Sequence, residues 1–265
     1  MERTSFAGSA GVGFRKMTDT SMSRIGVVGR GRLGSALATA LGAAGYEVSG
    51  PTGRGEVPEA EAIVLCVPDS EIPAAAAAAA DAAPLIGHTS GATPLTALEP
   101  AAERFGLHPL QTFSGGESDA GRFAGCRCAV AGSTSAAAEG AASLARSLGM
   151  VPFEIADEQR PAYHAAASIA SNFLVALEAA AEEVAGAAGL DPEEARAALA
   201  PLVRTTVENW AQLGPRRALT GPVARGDDLT VAAQRAAVRE AAPQLEALFD
   251  VMVERARALV EKVPA

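Results

Sequence analysis

The sequence is short of the groups that mark several large classes of protein. It has three cysteines, Cys66, Cys126 and Cys128, in 265 residues. Cys66 sits in an apolar stretch. Cys126-x-Cys128 lacks metal-site spacing and has no histidine nearby, which argues against a disulfide scaffold and against a zinc site. These thiols read as buried and free, and a reducing, cytoplasmic location is expected. Positive charge is scarce as well. Lys and Arg number 22 against 31 Asp and Glu, a net charge of −9, whereas a nucleic-acid-binding domain would be basic. That balance still allows a local basic pocket for an anion. No apolar run reaches the roughly 18 residues of a membrane span without alanine doing most of the counting. Neither a nucleic-acid nor a membrane partner is therefore expected. Residues 1–22 are rich in Gly, Ser and Thr and have no apolar core of signal-peptide type. They are expected to form a disordered extension, with Met17 and Met22 as alternative starts.

What is present is a hydrophobic fraction of 49%, ample for a core, and length for one large domain or two medium ones. The most informative stretch runs from Ile25 to Gly34. Ile25, Val27 and Val28 are an apolar, β-branched run of the kind that forms a buried strand. Gly29, Gly31 and Gly34 make G-x-G-x-x-G. Beyond them Leu37, Ala38, Leu41 and Ala44 recur at helical spacing until Gly45. Strand, tight turn and helix in that order form a phosphate cradle. Gly29 permits the turn, Gly31 lets a pyrophosphate approach the backbone, and Gly34 lets the helix lie close to the strand. Gly29, Arg30, Gly31, Arg32, Leu33 and Gly34 are thus candidate cofactor contacts.

The second strand, Tyr46–Ser49, bears on which nucleotide. An NAD site places an acid about 20 residues past the first glycine to bind the ribose 2′-hydroxyl. Residues 49–55 hold no carboxylate there, and Glu47 comes too early. Thr52 and Arg54 are present instead, with Arg30 and Arg32 inside the turn. A hydroxyl and guanidinium groups suit a 2′-phosphate, so NADP(H) is the expected cofactor.

The next strand, Ala62–Val67, runs into Val67-Pro68-Asp69 at the carboxyl edge of the sheet, where ligands of α/β folds bind. Asp69 either caps the following helix or contacts the cofactor. Leu85–Gly91 predicts another strand and a polar turn that places His88, Thr89 and Ser90 in the same crevice. Leu95–Phe105 reads as a short helix. His108 precedes Pro109, which disfavours helix at that residue and suggests an extended crevice loop. Strand Cys126–Ala131, helix Thr134–Leu148 and edge strand Val151–Ile155 complete an open sheet.

After residue 156 no strand pattern appears. Helices are expected at about 160–188, 192–212, 228–240 and 243–262, punctuated by Gly189, Pro192, Gly214-Pro215 and Pro243. In the first of them Ala166, Ile169, Phe173, Leu177 and Val184 share one face. His164, Ser168, Ser171 and Asn172 fall on the opposite face at 3.6 residues per turn. These polar groups are neutral and hydrogen-bonding, which makes His164 and Asn172 site candidates. The polar loop Ala218–Asp227 adds Thr220, Arg225 and Asp227. Arg225 suits a bidentate grip on a carboxylate, and Asp227 or Asp228 alternatively caps the helix that follows.

The order of GRGRLG, CVPDSEI, HTSGA, LHPLQTF, YHAAASIASNF and LTGPVARGD resembles a bacterial family of predicted oxidoreductases, over about residues 24–262. In it a Rossmann-like domain precedes a helical domain of unknown function. More distantly the layout is similar to ketopantoate reductase, 3-hydroxyisobutyrate dehydrogenase, pyrroline-5-carboxylate reductase and prephenate dehydrogenase. In several of these the first helix of the second domain carries a catalytic Lys, with an Asn four residues later. Asn172 matches that Asn. Ser168 stands at the Lys position, and His164 lies one turn earlier. His108-Pro109 resembles the His-Pro element of prephenate dehydrogenases.

The expected fold is an α/β Rossmann-like doubly wound sheet (residues 23–156) followed by an all-α domain (157–265) of the 6-phosphogluconate-dehydrogenase C-terminal type. The expected activity is NADPH-dependent reduction of a small carbonyl acid, ketopantoate-like, or of an imine at the interdomain cleft. An imidazole, with an ordinary pKa of about 6.5, exchanges protons near neutrality. His164 is the first candidate for proton donor and His108 the rival. Asn172 would orient the substrate, with Ser168, Thr220, Arg225 and Asp227 around it. The resemblance implies a homodimer through the helical domain. The alternative is a sensor or carrier that binds NADP(H) without turning it over.

Overall fold

A computed structural model describes residues 22–261. Of the expected N-terminal extension, only Met22 falls among the described residues. Seven strands form one sheet: β1 (Arg24–Val28), β2 (Glu47–Thr52), β3 (Ala62–Leu65), β4 (Leu85–His88), β5 (Glu103–Pro109), β6 (Arg127–Gly132) and β7 (Val151–Glu154). Their spatial order is β2-β1-β3-β4-β5-β6-β7. The first five run parallel. β6 is antiparallel to β5, and β7 is parallel to β6 at the edge. Helices α1 (Arg32–Ala43), α2 (Ile72–Ala79) and α3 (Ser135–Ser147) follow β1, β3 and β6.

Side-chain alternation along the central strands builds two core layers. Ala62 and Val64 face one side, with Leu37, Leu41 and Leu144 from α1 and α3. Ile63 and Leu65 face the other, with Ile72 and Ala76 from α2 and with Leu98. Helices on both faces of a mostly parallel sheet make this a doubly wound, Rossmann-like α/β fold.

The β1–α1 turn tolerates no side chain at its first and third glycines. Gly29 has φ +114°, and a Cβ there would lie 2.2 Å from the Cys66 carbonyl oxygen; one on Gly34 would lie 2.0 Å from the Gly29 carbonyl oxygen. Only glycine lets strand and helix approach this closely.

Two local expectations need correction. Leu95–Phe105 is not a helix. A single 3-10 turn spans Leu95–Leu98, and the chain then enters β5. Pro100, which has no N–H to donate, follows the turn and cannot continue a helix. Phe105 and Leu107 point alternately into the core as strand residues do. His108-Pro109 is consequently the end of β5 rather than a loop.

The expected helix over residues 160–188 is two helices, α4 (Arg160–Ala170) and α5 (Asn172–Gly186). Ser171, at φ −123° and ψ −72°, separates them. Neither Pro nor Gly stands at the break, and nothing local explains it. Ser168 and Asn172 therefore do not share one continuous helix, and the polar face drawn through both is interrupted. Nor is the opposite face a buried core, since Ile169 and Phe173 are 63% and 61% exposed.

Backbone contacts divide the chain into a first unit extending to Ala167 and a second beginning at Ser168. The compact first unit thus runs past the expected boundary at residue 156. The reason is Arg160, which is wholly buried and anchors the start of α4. The second unit is helical: α5, α6 (Pro192–Leu213), the short α7 (Pro215–Ala218) and α8 (Pro222–Arg225), α9 (Asp228–Ala241) and α10 (Glu246–Glu261). Asp191 caps α6 in a capping box with Glu194. Arg235 joins α9 to α10 through Asp250, with Nε–Oδ1 at 2.6 Å. Little apolar surface is covered in this unit. Ala195, Val231, Val238 and Ala242 are its buried hydrophobic residues among those described, while Val175, Leu202, Trp210 and Val251 are exposed.

Candidate functional site

Because β1 to β5 are parallel, their carboxyl ends share one edge of the sheet. That edge carries the Gly29–Gly34 turn after β1, Val67-Pro68-Asp69 after β3, Thr89-Ser90-Gly91 after β4 and His108 at the end of β5. No side chain caps α1, whose N-cap is Gly31, so its first N–H groups are open to an anion. A Cβ on Gly31 would meet no protein atom within 4 Å. A cleft of about 350 Å³ lies at this helix end, lined by Arg30, Gly31, Arg32, Ser35, Gly115 and Asp119 among others. Leu33 packs on the core beneath it, as Val67 does on the opposite face.

The polar turn after β4 is largely committed to its own geometry. Thr89 Oγ1 donates to the Leu65 carbonyl at 3.4 Å. Ser90 Oγ donates to Asp69 Oδ2 at 2.8 Å and accepts from the Ala92 and Thr93 amides. Asp69 makes no side-chain cap to the helix after it, so of its two expected roles the cap is excluded. Its carboxylate instead fixes Ser90.

His108 and His164 come together within the first unit. Their ring centroids are 6.0 Å apart, at 77° to one another. A third ring, absent from the sequence-derived candidates, completes the cluster: Tyr163, whose hydroxyl lies 2.7 Å from His108 Nδ1. Gly91 faces both imidazoles. A Cβ there would lie 2.8 Å from His164 Cδ2 and 2.9 Å from His108 Nε2. Gly91→Ala should therefore displace the rings while leaving the fold intact, since the clash is with side chains that can turn. We expect a stability loss of about 1–3 kcal/mol, the cost of overpacking a buried site, and, in an activity assay, a rate loss of about tenfold. An unchanged rate would show that ring placement does not matter.

Arg160 lies behind this cluster with no exposed surface. Its Nε donates to Asp157 Oδ1 at 2.7 Å, its Nη1 to the Ser90 carbonyl at 3.3 Å, and its Nη2 has no partner among the described residues. Burial, then the neighbouring His164 and the Arg160 charge, push His108 down to about 4. Burial and Arg160 push His88 down to about 4 as well. Both imidazoles are neutral at pH 7. Burial raises the Tyr163 hydroxyl to about 12, so it keeps its proton.

His88 has a stability consequence. Between about pH 6.5 and 4 the unfolded chain binds a proton that the folded chain refuses. Its contribution is complete above pH 6.5 and is lost as the pH falls toward 4. The urea midpoint should be lower at pH 5 than at pH 7, and His88→Gln should reduce that dependence, leaving the part contributed by the equally depressed His108. Equal midpoints for the parent chain would contradict the burial of a neutral His88.

Two of the nominated arginines are already paired, while Arg32 lines the cleft at the start of α1. Arg30 Nη2 pairs with Glu56 Oε2 at 2.7 Å, and Arg54 pairs with Glu71. The sequence places no carboxylate at the end of β2, but the turn over residues 53–56 folds Glu56 back to that point. Thr52 Oγ1 donates to the Glu56 carbonyl at 2.7 Å.

The remaining candidates belong to the second unit. Asp227 caps α9, accepting from Thr230 N at 3.1 Å and from Thr230 Oγ1 at 2.7 Å, which is the structural one of its two expected roles. Arg225 ends α8, exposed and without an ion pair among the described residues. Thr220 and Asn172 are exposed and Ser168 is half-buried. The three cysteines are free thiols, and burial pushes Cys66 up to about 12.

Residues 126–256 match a family model described as a domain of unknown function, DUF2520. No curated protein matches the sequence. Among solved structures, a Bacteroides fragilis protein provisionally named an NADP oxidoreductase superposes with a TM-score of 0.75 at 22% identity, covering 89% of this chain and 98% of that one. A Thermotoga maritima protein gives 0.72 at 23% identity, with 89% and 98% covered. Plasmodium falciparum pyrroline carboxylate reductase, solved with NADP bound, gives 0.57 at 14% identity, with 91% and 100% covered. At these identities the likeness establishes a shared fold.

Proposed function

We propose that the chain is an NADPH-dependent oxidoreductase that reduces a small carbonyl acid, ketopantoate-like, or a cyclic imine. The observation that carries the reading is the pair of imidazoles over Gly91, on the same sheet edge as a glycine turn built for a dinucleotide. The names and the bound cofactor of the structural neighbours support it. The residues fit the nucleotide. Gly29 and Gly34 close the turn, α1 is uncapped, and Gly31 opens onto free space.

Bound there, the reduced nicotinamide supplies a hydride to the carbon of a C=O or C=N group. The oxygen or nitrogen of that group then takes the electron pair and needs a proton. The chain's lysines are Lys16 and Lys262, both outside the described residues, so histidine takes the role a lysine plays in the resembling families. His164 gives up the proton. His108 stays neutral and acts as a hydrogen-bond donor. The Tyr163 hydroxyl donates to Nδ1 and leaves the ring proton on Nε2, the nitrogen that faces Gly91.

Tyr163→Phe should lower kcat about tenfold, the worth of one hydrogen bond, with substrate KM unchanged. The His108 ring nitrogens should then report a mixture of tautomers by ¹⁵N NMR. A single unchanged tautomer would remove Tyr163 from the reading. The direct test of function is NADPH consumption against 2-oxo acids, 3-oxo acids and cyclic imines.

The exposed apolar side chains of the second unit favour a homodimer formed through that unit. So few buried residues leave it marginal alone. Phe173→Asp should shift the light-scattering mass from dimer to monomer, and a monomeric parent chain would contradict this.

A further inference from the structure

The end of β2 holds an anion site already filled by the protein's own carboxylate. Glu56 Oε2 accepts from Arg30 Nη2 at 2.7 Å and from the Gly53 amide at 3.1 Å. Arg30 is steadied by a second bond, from Nε to the Pro51 carbonyl at 3.2 Å. The turn that presents Glu56 is closed by Glu56 N donating to the Gly53 carbonyl at 3.3 Å and by Thr52 Oγ1 donating to the Glu56 carbonyl. A guanidinium and a backbone N–H converging on one oxygen are the donors a phosphate uses. The neighbouring Arg54 is likewise held by Glu71. Arg30 and Arg54 are therefore each balanced by a carboxylate.

We propose that Glu56 is a specificity-determining residue of the ribose site. Its carboxylate occupies the seat that a 2′-phosphate would take, and the same carboxylate accepts a hydrogen bond from a ribose 2′-hydroxyl. Glu56 thereby weakens NADPH, supports NADH, and narrows the preference between them. This rests on the nucleotide reading of the β1–α1 turn. The physics is a competition. A phosphate monoester carries about −1.5 to −2 charges at pH 7. It cannot share Arg30 and Gly53 with a carboxylate at hydrogen-bond distance, so Glu56 must swing out. Both partners of the ion pair are more than half exposed, and pairs of that kind are weak. Displacement is therefore possible but not free. A dinucleotide without the 2′-phosphate requires no displacement.

The test is isothermal titration of the parent chain, Glu56→Gln and Arg30→Gln with NADPH, NADH, 2′,5′-ADP and 5′-AMP. Glu56→Gln keeps the side-chain shape and removes the charge. It should tighten NADPH and 2′,5′-ADP by about 1.5- to fivefold, the range of an exposed ion pair. NADH and 5′-AMP should stay level or weaken. Arg30→Gln should weaken the phosphorylated pair selectively. Tightening of the phosphorylated pair without tightening of NADH and 5′-AMP is the signature, because a merely structural role for Glu56 would move all four ligands together. Parallel changes, or no change with Glu56→Gln while the parent binds NADPH, would overturn the assignment to Glu56. Failure of the parent chain to bind any of the four would instead overturn the nucleotide reading itself. Should Glu56→Gln fold poorly, Glu56→Ala gives the same comparison, since the residue is exposed and makes no core contact.

Discussion

Replacing His164 with alanine should lower kcat roughly a hundred- to a thousandfold while leaving the Kd for NADPH unchanged. A positioned general acid contributes about 10²- to 10⁴-fold, and a neutral His108 beside it cannot replace the lost proton. Burial and its neighbours hold His108 down to about 4, so little of it is protonated at pH 7. The glycine turn and the uncapped end of α1 form the nucleotide cradle, and His164 is no part of it. Nucleotide affinity is thus the built-in control for folding. The His108→Gln variant, which keeps an N–H donor, should lose less than His164→Ala. Equal turnover for parent and His164→Ala would remove His164 from the mechanism.

The largest expected effect on stability comes from Asp157→Ala. Arg160 has no exposed surface, and its one acidic partner is Asp157 at 2.7 Å. Asp157 also accepts from the Leu95 amide at 2.9 Å. Removing the carboxylate strands a buried cation, which costs about 3 kcal/mol or more. Urea unfolding should show that loss with an unchanged slope. Replacing both partners, Asp157→Leu with Arg160→Met, should recover most of it, because the cost lies in the unpaired charge rather than in the missing bond. A loss under about 1 kcal/mol for the single variant would mean that water reaches Arg160.

Much of this architecture is legible in the chain. The alternation of Ile25, Val27 and Val28, the three glycines and the periodic Leu37 and Leu41 specify strand, turn and helix by local chemistry alone. So do Asp191-Pro192 and Glu194 at the start of α6. Four features were hidden. Leu95–Phe105 has the composition of a helix, yet β5 forms because Phe105 and Leu107 gain a core layer from it, a tertiary gain that outweighs propensity. Glu56 is too far along the chain to be the usual ribose acid, and only the fold-back of the turn over residues 53–56 brings it to Arg30. The burial of Arg160 leaves no pattern in the sequence; Asp157, three residues earlier, is the one local sign that its charge is matched. The meeting of His108 with His164 was also beyond the sequence, since 55 residues separate Tyr163 from its partner His108 and no periodicity spans that distance.

The central claim is that the chain binds NADPH and passes its hydride to a small carbonyl acid or imine. The measurement that tests it most directly is the loss of reduced-nicotinamide absorbance with the parent chain against 2-oxo acids, 3-oxo acids and cyclic imines, with NADPH affinity measured on the same samples. The account predicts NADPH binding and oxidation by at least one acid-bearing carbonyl or imine, slowed at least a hundredfold by His164→Ala. Binding of NADPH with no oxidation by any of these compounds would contradict it and identify a nucleotide-binding protein without turnover.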